Sequence, residues 1–522
     1  MNHNVAALAG SVCLALCSLP LAAAEGPRQQ GPKPGYSLAM CSNGNFYGFP
    51  DYPVKMLDAG ARMCRLDFTF SMVRRRPGND PEQWDWSHVE RLRAVKKKHP
   101  ELECLMLLGY SLPWAEDEKT RDPKPLPKNA LPPINGPQAG IDVRPVEDPR
   151  NLYGHYVYEI VRRYKDLAKH WESWNEPDLP GRHFWKLGGK EFFKYQRVCY
   201  LAAKKADPEC KVLFAGLCYG TIEGYLAAHK LKAPTPWPPK ECFFEEYLKE
   251  CVKDPEAKQN HYYFDIMSQH SYSRASDAYD YVAIDNKLMQ DYLGEVKPTW
   301  MTECGVTDTR DTKPGDVFAC SPAEYCDYIL QSFAWAKMAG VEKLFHFQLD
   351  NSNGHGLYTG LMADLGQPKP ALTAYRDVLA RELATARFIR QLHGSKGVDF
   401  LAGNSAFQPT WKAGYNLFEF QSGDGRRRVL IAFADTDGPV SGLTSTSKSV
   451  TARIPATKAK ATRITRDNQR TEIAAAGGFY EVRLDGATNT GGWPAVKDSK
   501  EGKALGVPEH LVGGATIVLV EE

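Results

Sequence analysis

From residue 36 to about residue 390 the chain alternates short apolar runs with longer stretches in which apolar positions recur every three or four residues. The first pattern reads as buried strands, the second as amphipathic helices. Apolar runs lie at 36–41, 63–68, 102–108, 170–174, 212–217, 264–269, 299–302 and 343–348. The longer period predicts helices over 86–98, 152–167, 189–206, 242–252, 282–293, 323–339 and 371–387. Strands that alternate with helices predict a parallel sheet joined by crossovers. Eight such units over about 350 residues match a (β/α)8 barrel (TIM barrel, α/β class) with enlarged loops. A doubly wound open sheet has the same rhythm, but no Gly-x-Gly-x-x-Gly follows any of these strands.

The long insertions follow strands. Residues 115–149 come after the third run and contain Pro123, Pro125, Pro127, Pro132, Pro133, Pro137, Pro145 and Pro149; residues 219–241 come after the fifth. In a barrel such loops gather on the C-terminal face, where ligand sites are built. Beyond residue 390 the helical period disappears. Alternating runs at 416–421, 429–434, 449–454, 461–466, 479–484 and 515–520, with Gly-Asp-Gly at 423–425 as a hairpin signal, predict a C-terminal β-sandwich of about 130 residues.

Composition narrows the function. Of the 522 residues, 43% are hydrophobic and 25% charged, ordinary globular usage. Lys+Arg 65 against Asp+Glu 63 leaves a net charge of +2, which argues against a nucleic-acid or membrane-surface partner. Residues 5–24 are apolar and uncharged, and Ala22-Ala23-Ala24 precedes Glu25, as at a signal-peptide cleavage site. The expected organisation is therefore a signal peptide at 1–24, a barrel at 25–390 and a β-sandwich at 391–522, in a secreted or periplasmic protein. Of 13 cysteines, Cys13 and Cys17 lie in the signal, and the odd remainder is no disulfide framework. Cys320 and Cys326 are spaced for a loop bridge; the others read as small buried apolar side chains. There is no His-Glu-x-x-His, EF-hand loop or Cys/His cluster, so neither a metal nor another cofactor is expected.

Two strand ends carry the chemistry. His170-Trp-Glu-Ser-Trp-Asn-Glu-Pro-Asp178 ends in Asn175 and Glu176, closed by Pro177, and Thr299-Trp-Met-Thr-Glu-Cys-Gly305 ends in Glu303. Barrel enzymes hold catalytic groups at such positions. A carboxylate buried without a partner costs several kcal/mol, so two of them ask for a use. Cleavage of a glycosidic bond needs such a pair: one acid protonates the leaving oxygen, and the other attacks the anomeric carbon or activates water. Within the same strands, Glu172 is expected to point outward to the helices, and Trp171 and Trp174 to pack in the core. Cys304 reads as a buried structural thiol.

The Trp-Asn-Glu-Pro segment (174–177) and the Trp-Met-Thr-Glu-Cys-Gly strand (300–305) resemble clan A glycoside hydrolases, most of all family 39, the group of β-xylosidases, α-iduronidases and exopolysaccharide hydrolases. Arg65-Leu66-Asp67, His270-Ser271-Tyr272 and the run from Gly356-Leu357 to Gln367-Pro-Lys-Pro-Ala371 extend the likeness over most of the barrel. It implies Glu176 as acid/base, Glu303 as nucleophile, and Asn175 on the sugar 2-hydroxyl. Arg65, His270 and Tyr272 would support the carboxylates, Arg65 and Tyr272 keeping Glu303 ionised, while Glu176 needs a setting that raises its pKa. The family retains configuration, which implies carboxylates roughly 5–5.5 Å apart. The eighth strand departs from the clan pattern: Phe345-His-Phe-Gln-Leu-Asp350 has no Trp, leaving Phe347 as the platform. Trp114, just ahead of the Pro-rich insertion, is a further candidate at the sugar site. A carbohydrate-binding protein without turnover and a transglycosylase remain alternatives. Arg74, Arg75, Arg76, Arg182 and His183 follow strand ends and suggest an acidic sugar, since guanidinium groups grip carboxylates in a fork.

Overall fold

Eight parallel strands form the first sheet: β1 (Leu38–Ser42), β2 (Met63–Asp67), β3 (Glu103–Leu107), β4 (His170–Glu172), β5 (Lys211–Leu213), β6 (Met267–Ser271), β7 (Thr299–Cys304) and β8 (Val341–His346). The computed structural model describes residues 35–42, 46, 51–76, 80–110, 114, 151–179, 184–228, 242–272, 274–308, 319–351, 358–394, 414–434, 449–488 and 512–522. The strand order β5-β4-β3-β2-β1-β8-β7-β6 follows the sequence around a ring. Phe214 N donates to Ile266 O (2.9 Å) and His270 N to Leu217 O (2.6 Å), so β5 and β6 meet and the barrel closes. The proposed signal segment and the Pro-rich insertion lie outside the described residues, as do Arg182, His183 and Gly356-Leu357.

Alternation along the strands sorts their side chains. One parity (Met40, Cys64, Leu66, Met106, Trp171, Val212, Met267, Met301) joins the helices in a single apolar core. Those helices include Leu152–Tyr164, Gly189–Ala206, Asp277–Leu293 and Pro322–Met338. The other parity fills the barrel in layers, with Ala39, Met63, Leu105, Leu213, Trp300 and Phe345 below and polar groups above. Helix Pro322–Met338 starts with proline at its first position and a reciprocal capping box between Ser321 and Glu324. Helix Asp277–Leu293 stops at Gly294, whose φ of +72° is the left-handed geometry that glycine adopts without strain. Among the described residues no helix is long and apolar enough to cross a membrane.

A small hairpin, β9 (Met362–Asp364) and β10 (Gln367–Pro368), leads into the last barrel helix. The chain then passes into an antiparallel sheet of β11 (Arg387–His393), β12 (Tyr415–Gln421), β13 (Arg428–Ala434), β18 (Ile517–Glu521), β15 (Lys460–Thr465) and β16 (Arg470–Ala474). Strands β14 (Val450–Pro455) and β17 (Phe479–Leu484) form a second, two-stranded sheet. Leu417, Leu430, Ile454, Tyr480, Val482 and Leu519 fill the space between the sheets, as in a β-sandwich. The opposite face of the larger sheet packs on the barrel: Phe420 lies 5.9 Å from Phe333 and Phe418 4.9 Å from Trp335, centroid to centroid. Gln331 Nε2 donates to Gly514 O, and Thr516 N donates to the buried Asp327 carboxylate.

Helical periodicity ran the helix of 371–387 too far, and β11 and β16 escaped it. Both strands are mainly polar edge strands, and β11 pairs with β12 through two register shifts that blur its alternation. The expected Cys320–Cys326 bridge is absent. All eleven described cysteines are buried; Cys320 Sγ donates to Thr307 O and Cys326 Sγ to Pro322 O, the latter inside its own helical turn.

Asp285, on the inner face of helix Asp277–Leu293, is fully buried, and among the described residues neither carboxylate oxygen has a partner. Burial, then the charge of Asp178, holds its pKa well above the ordinary value. The folded chain therefore keeps a proton that the unfolded chain releases above about pH 4, so this group makes stability fall as pH rises through that window toward its folded pKa. Asp285→Asn is expected to remove that slope. Unfolding free energies measured from pH 4 upward should show the variant gaining on the wild type by about 1.4 kcal/mol for each unit of pKa elevation, until pH passes the folded pKa.

Candidate active site

Arg65 organises the upper layers of the barrel. Its position on β2 points it inward above Met63, and only 4% of it is exposed. Nε donates to Glu172 Oε2 (2.5 Å), Nη1 to Glu303 Oε1 (2.5 Å) and Nη2 to Asn175 Oδ1 (2.8 Å). Burial works against the cation, but Glu172 and Glu303 outweigh it and raise the Arg65 pKa, so the guanidinium stays charged. Glu172 thus faces the lumen, contrary to the outward placement expected from its strand. Its second oxygen lies 2.6 Å from Ser268 Oγ and 3.0 Å from Thr302 Oγ1. A buried acid with an arginine and two hydroxyls to meet is more stable inside than among apolar helices.

Glu303 reaches the lumen because β7 carries a bulge. Met301 pairs with Gln269 and Glu303 with His270, which leaves Thr302 as the extra residue. Strict alternation from the inward Trp300 turns Thr302 inward but would send Glu303 outward; the bulge turns Glu303 inward as well and sends Cys304 out against Tyr328. The Tyr272 hydroxyl donates to Glu303 Oε2. Burial is the largest influence on the Glu303 carboxyl and raises its pKa, Glu176 adds to the rise, and His270, Arg65 and Tyr272 pull it back. The cationic and hydroxyl partners expected to hold the group ionised are present, and desolvation outweighs them.

Glu176 leaves β4 in a left-handed conformation, φ +43°, unusual for a residue with a Cβ and held by the bond from its N–H to Gly216 O (2.8 Å). Asp178 ties the same turn to the loop after β5 by accepting from Cys218 N and Thr221 N. Glu176 Oε1 lies 2.9 Å from His270 Nδ1, and Glu303 Oε2 lies 3.6 Å from the same nitrogen. Burial lowers the His270 pKa and favours the neutral ring. Glu176, His270 and Glu303 offer ligand atoms within 4.8 Å of one another. Their bonds to each other, to Arg65 and to Tyr272 account for the grouping without an ion.

The structure brings together Glu176, Glu303, Asn175, Arg65, His270 and Tyr272. Phe347 joins them, its ring edge-on to Tyr272 at 5.8 Å, with a cis peptide to Gln348. Trp114 does not; it packs on Phe70 and under the Arg74 guanidinium. Arg74 itself is 1% exposed and sits over Phe70, Trp84 and Trp114, donating to Leu152 O, while Arg75 pairs with Asp85. Arg74 is thereby closed off from a substrate carboxylate. Trp171 and Trp174 are core residues. Sequence reasoning missed Ser268, Thr302 and Tyr110. Burial and the nearby Asp67 carboxylate push the Tyr110 hydroxyl up, with Arg65, Glu176 and Glu303 also in electrostatic reach. Its position just past the end of β3 was the available signal.

The (β/α)8 barrel thus carries carboxylates at the ends of β4 and β7 and an arginine on β2. No family model matches the sequence, and no curated protein does. Among solved structures the fold is similar to a family 39 glycoside hydrolase from the gut symbiont Bacteroides cellulosilyticus WH2 (14% identity, 93% of this chain and 81% of that one, TM-score 0.56). It is also similar to the catalytic domain of a family 30 xylanase C from Talaromyces cellulolyticus (12%, 93% and 96%, 0.52). A family 39 β-xylosidase from Caulobacter crescentus matches at 14%, 93% and 96%, with a TM-score of 0.50. At these identities the likeness is one of fold.

Proposed function

We propose that this chain is an exported, retaining glycoside hydrolase that cleaves a poly- or oligosaccharide by double displacement. The observation that carries this reading is the approach of Glu176 and Glu303 oxygens to within 4.8 Å, bridged by His270. Inverting enzymes space their carboxyl groups about 6.5–9.5 Å apart to admit a water, whereas retaining enzymes need only about 5–5.5 Å. Glu303, oriented by Arg65 and Tyr272, attacks the anomeric carbon as Glu176 gives its proton to the departing oxygen. Glu176 then takes a proton from water, which attacks the glycosyl ester and frees Glu303. Asn175, held by Arg65, faces the sugar 2-hydroxyl, a contact that strengthens as positive charge develops. The apolar, uncharged run of residues 5–24 supports export.

The test is a panel of aryl glycosides and oligosaccharides, with the first-formed anomer read by proton NMR. Retained configuration supports the reading; inversion, or no cleavage of any glycoside, overturns it. Within the panel, Glu176→Ala is expected to lower kcat/KM about 10²–10⁴-fold on substrates with poor leaving groups and far less on dinitrophenyl glycosides, which depart without a proton.

A further inference from the structure

Thr302 is the residue left without a register partner by the β7 bulge, and its hydroxyl sits where three polar groups converge. Oγ1 lies 2.5 Å from Ser268 Oγ, 3.0 Å from Glu172 Oε1 and 3.1 Å from His270 Nε2. Ser268 Oγ is in turn 2.6 Å from Glu172 Oε1. Two hydroxyls bring one proton each, and a carboxylate salt-bridged to Arg65 brings none. The short Ser268–Thr302 contact uses one of the two protons, and the contact to Glu172 uses the other. Either Ser268 donates to Glu172 and Thr302 to Ser268, or Ser268 donates to Thr302 and Thr302 to Glu172. In both arrangements Thr302 has only a lone pair left for His270.

Nε2 of His270 must then be the protonated nitrogen. A neutral imidazole with its proton on Nε2 presents a bare lone pair at Nδ1, which can only accept. Glu176 Oε1 is the atom in front of it, at 2.9 Å. A Cβ on Gly216 would lie 2.1 Å from Nε2, so the glycine admits the imidazole in close contact with the chain after β5.

We propose that Thr302, with Ser268 and Glu172 behind it, is a positioning residue that locks His270 in the Nε2–H tautomer and so makes Nδ1 an acceptor for the carboxylic proton of Glu176. The protonated form of the acid catalyst is thereby favoured by a hydrogen bond that its ionised form loses. Other groups facing the pair act alongside: Glu303 on β7, Arg65 on β2, Glu172 and Asp178 from the β4 segment, Tyr272 on β6, Tyr110 after β3 and Cys218 after β5. None of them is altered by a change at Thr302 in the way the tautomer is. The kinetic consequence rests on the glycosidase reading; the tautomer does not.

The experiment compares wild type, Thr302→Val and Thr302→Ser. Valine keeps the shape and removes the hydroxyl, whereas serine keeps the hydroxyl. Nitrogen-15 NMR of full-length protein labelled at histidine, with the resonance assigned by its loss in His270→Gln, reads the tautomer directly. Wild type and Thr302→Ser should show Nε2–H, and Thr302→Val should shift toward Nδ1–H. In kcat/KM against pH, Thr302→Val should move the basic limb down by about one pH unit and cut turnover of poor-leaving-group glycosides by about 10²-fold, the usual contribution of general acid catalysis. Dinitrophenyl glycosides should be nearly unaffected. An Nδ1–H wild type, or a Thr302→Val variant with equal losses on both substrates and an unmoved pH profile, overturns the proposal. If wild type cleaves no glycoside while the NMR result holds, the functional reading fails and the tautomer lock stands.

Discussion

Replacing Glu303 with alanine is expected to lower kcat/KM by about 10⁴-fold or more on every glycoside, the scale seen when a nucleophile is removed outright. The loss should appear with good and poor leaving groups alike, because the leaving group departs in the step in which Glu303 attacks, and without the nucleophile that step is lost for both. Arg65 and Tyr272 would remain aimed at an empty place. Added azide, entering from the face that Glu303 occupied, should not restore product of retained configuration. A Glu303→Ala variant with a tenth of wild-type activity would mean that another group attacks. The pH profile offers a second check. Because burial raises the Glu303 pKa, the acid limb of kcat/KM is expected above the ordinary glutamate value of about 4.3, with activity rising as pH rises through it.

Arg65→Met should affect both stability and rate. The guanidinium bridges Glu172 and Glu303 while almost wholly buried, and its loss would leave two carboxylates facing each other in the lumen. Breaking a buried pair by removing one partner typically costs about 3–5 kcal/mol, most of it the penalty of the charge left behind. Glu303, no longer held down by the guanidinium, is expected to take up a proton more readily in response. A protonated Glu303 is no nucleophile, so activity should survive only on the alkaline side, if the variant folds. Unfolding free energy and the pH profile together check this: an unchanged midpoint and an unchanged acid limb would show that Arg65 does not hold the pair. Arg65→Lys should recover part of the stability and less of the rate, because an ammonium cannot reach Glu172, Glu303 and Asn175 in one fork.

The barrel was legible because its strands are buried on both faces and read as near-continuous apolar runs alternating with amphipathic helices. Glu176 and Glu303 were legible because each closes such a run and falls in a motif. What stayed hidden has one physical origin: the direction of a side chain depends on register, and register is a property of two strands. Nothing within 299–304 announces that Thr302 is an extra residue; the bulge exists only in the pairing with β6 and β8. Glu172 looked like an outward residue because its partners, Arg65, Ser268 and Thr302, come from three other strands. Arg74 misled for the opposite reason: an arginine after a strand end reads as exposed, whereas here Trp84 and Trp114 close over it from distant segments.

The larger sheet of the sandwich has no free inner wall. Its residues Phe418, Phe420, Val429, Ile431 and Val518 belong to the same apolar mass as the barrel helices, and Asp327 in helix Pro322–Met338 relies on Thr516 and Arg466 for its hydrogen bonds. The two halves are therefore coupled as a structural dependency, unlike a catalytic barrel with a tethered accessory module. A chain shortened at the end of the barrel would carry an exposed aromatic stripe and a stranded buried acid on the helix that covers β7 and β8.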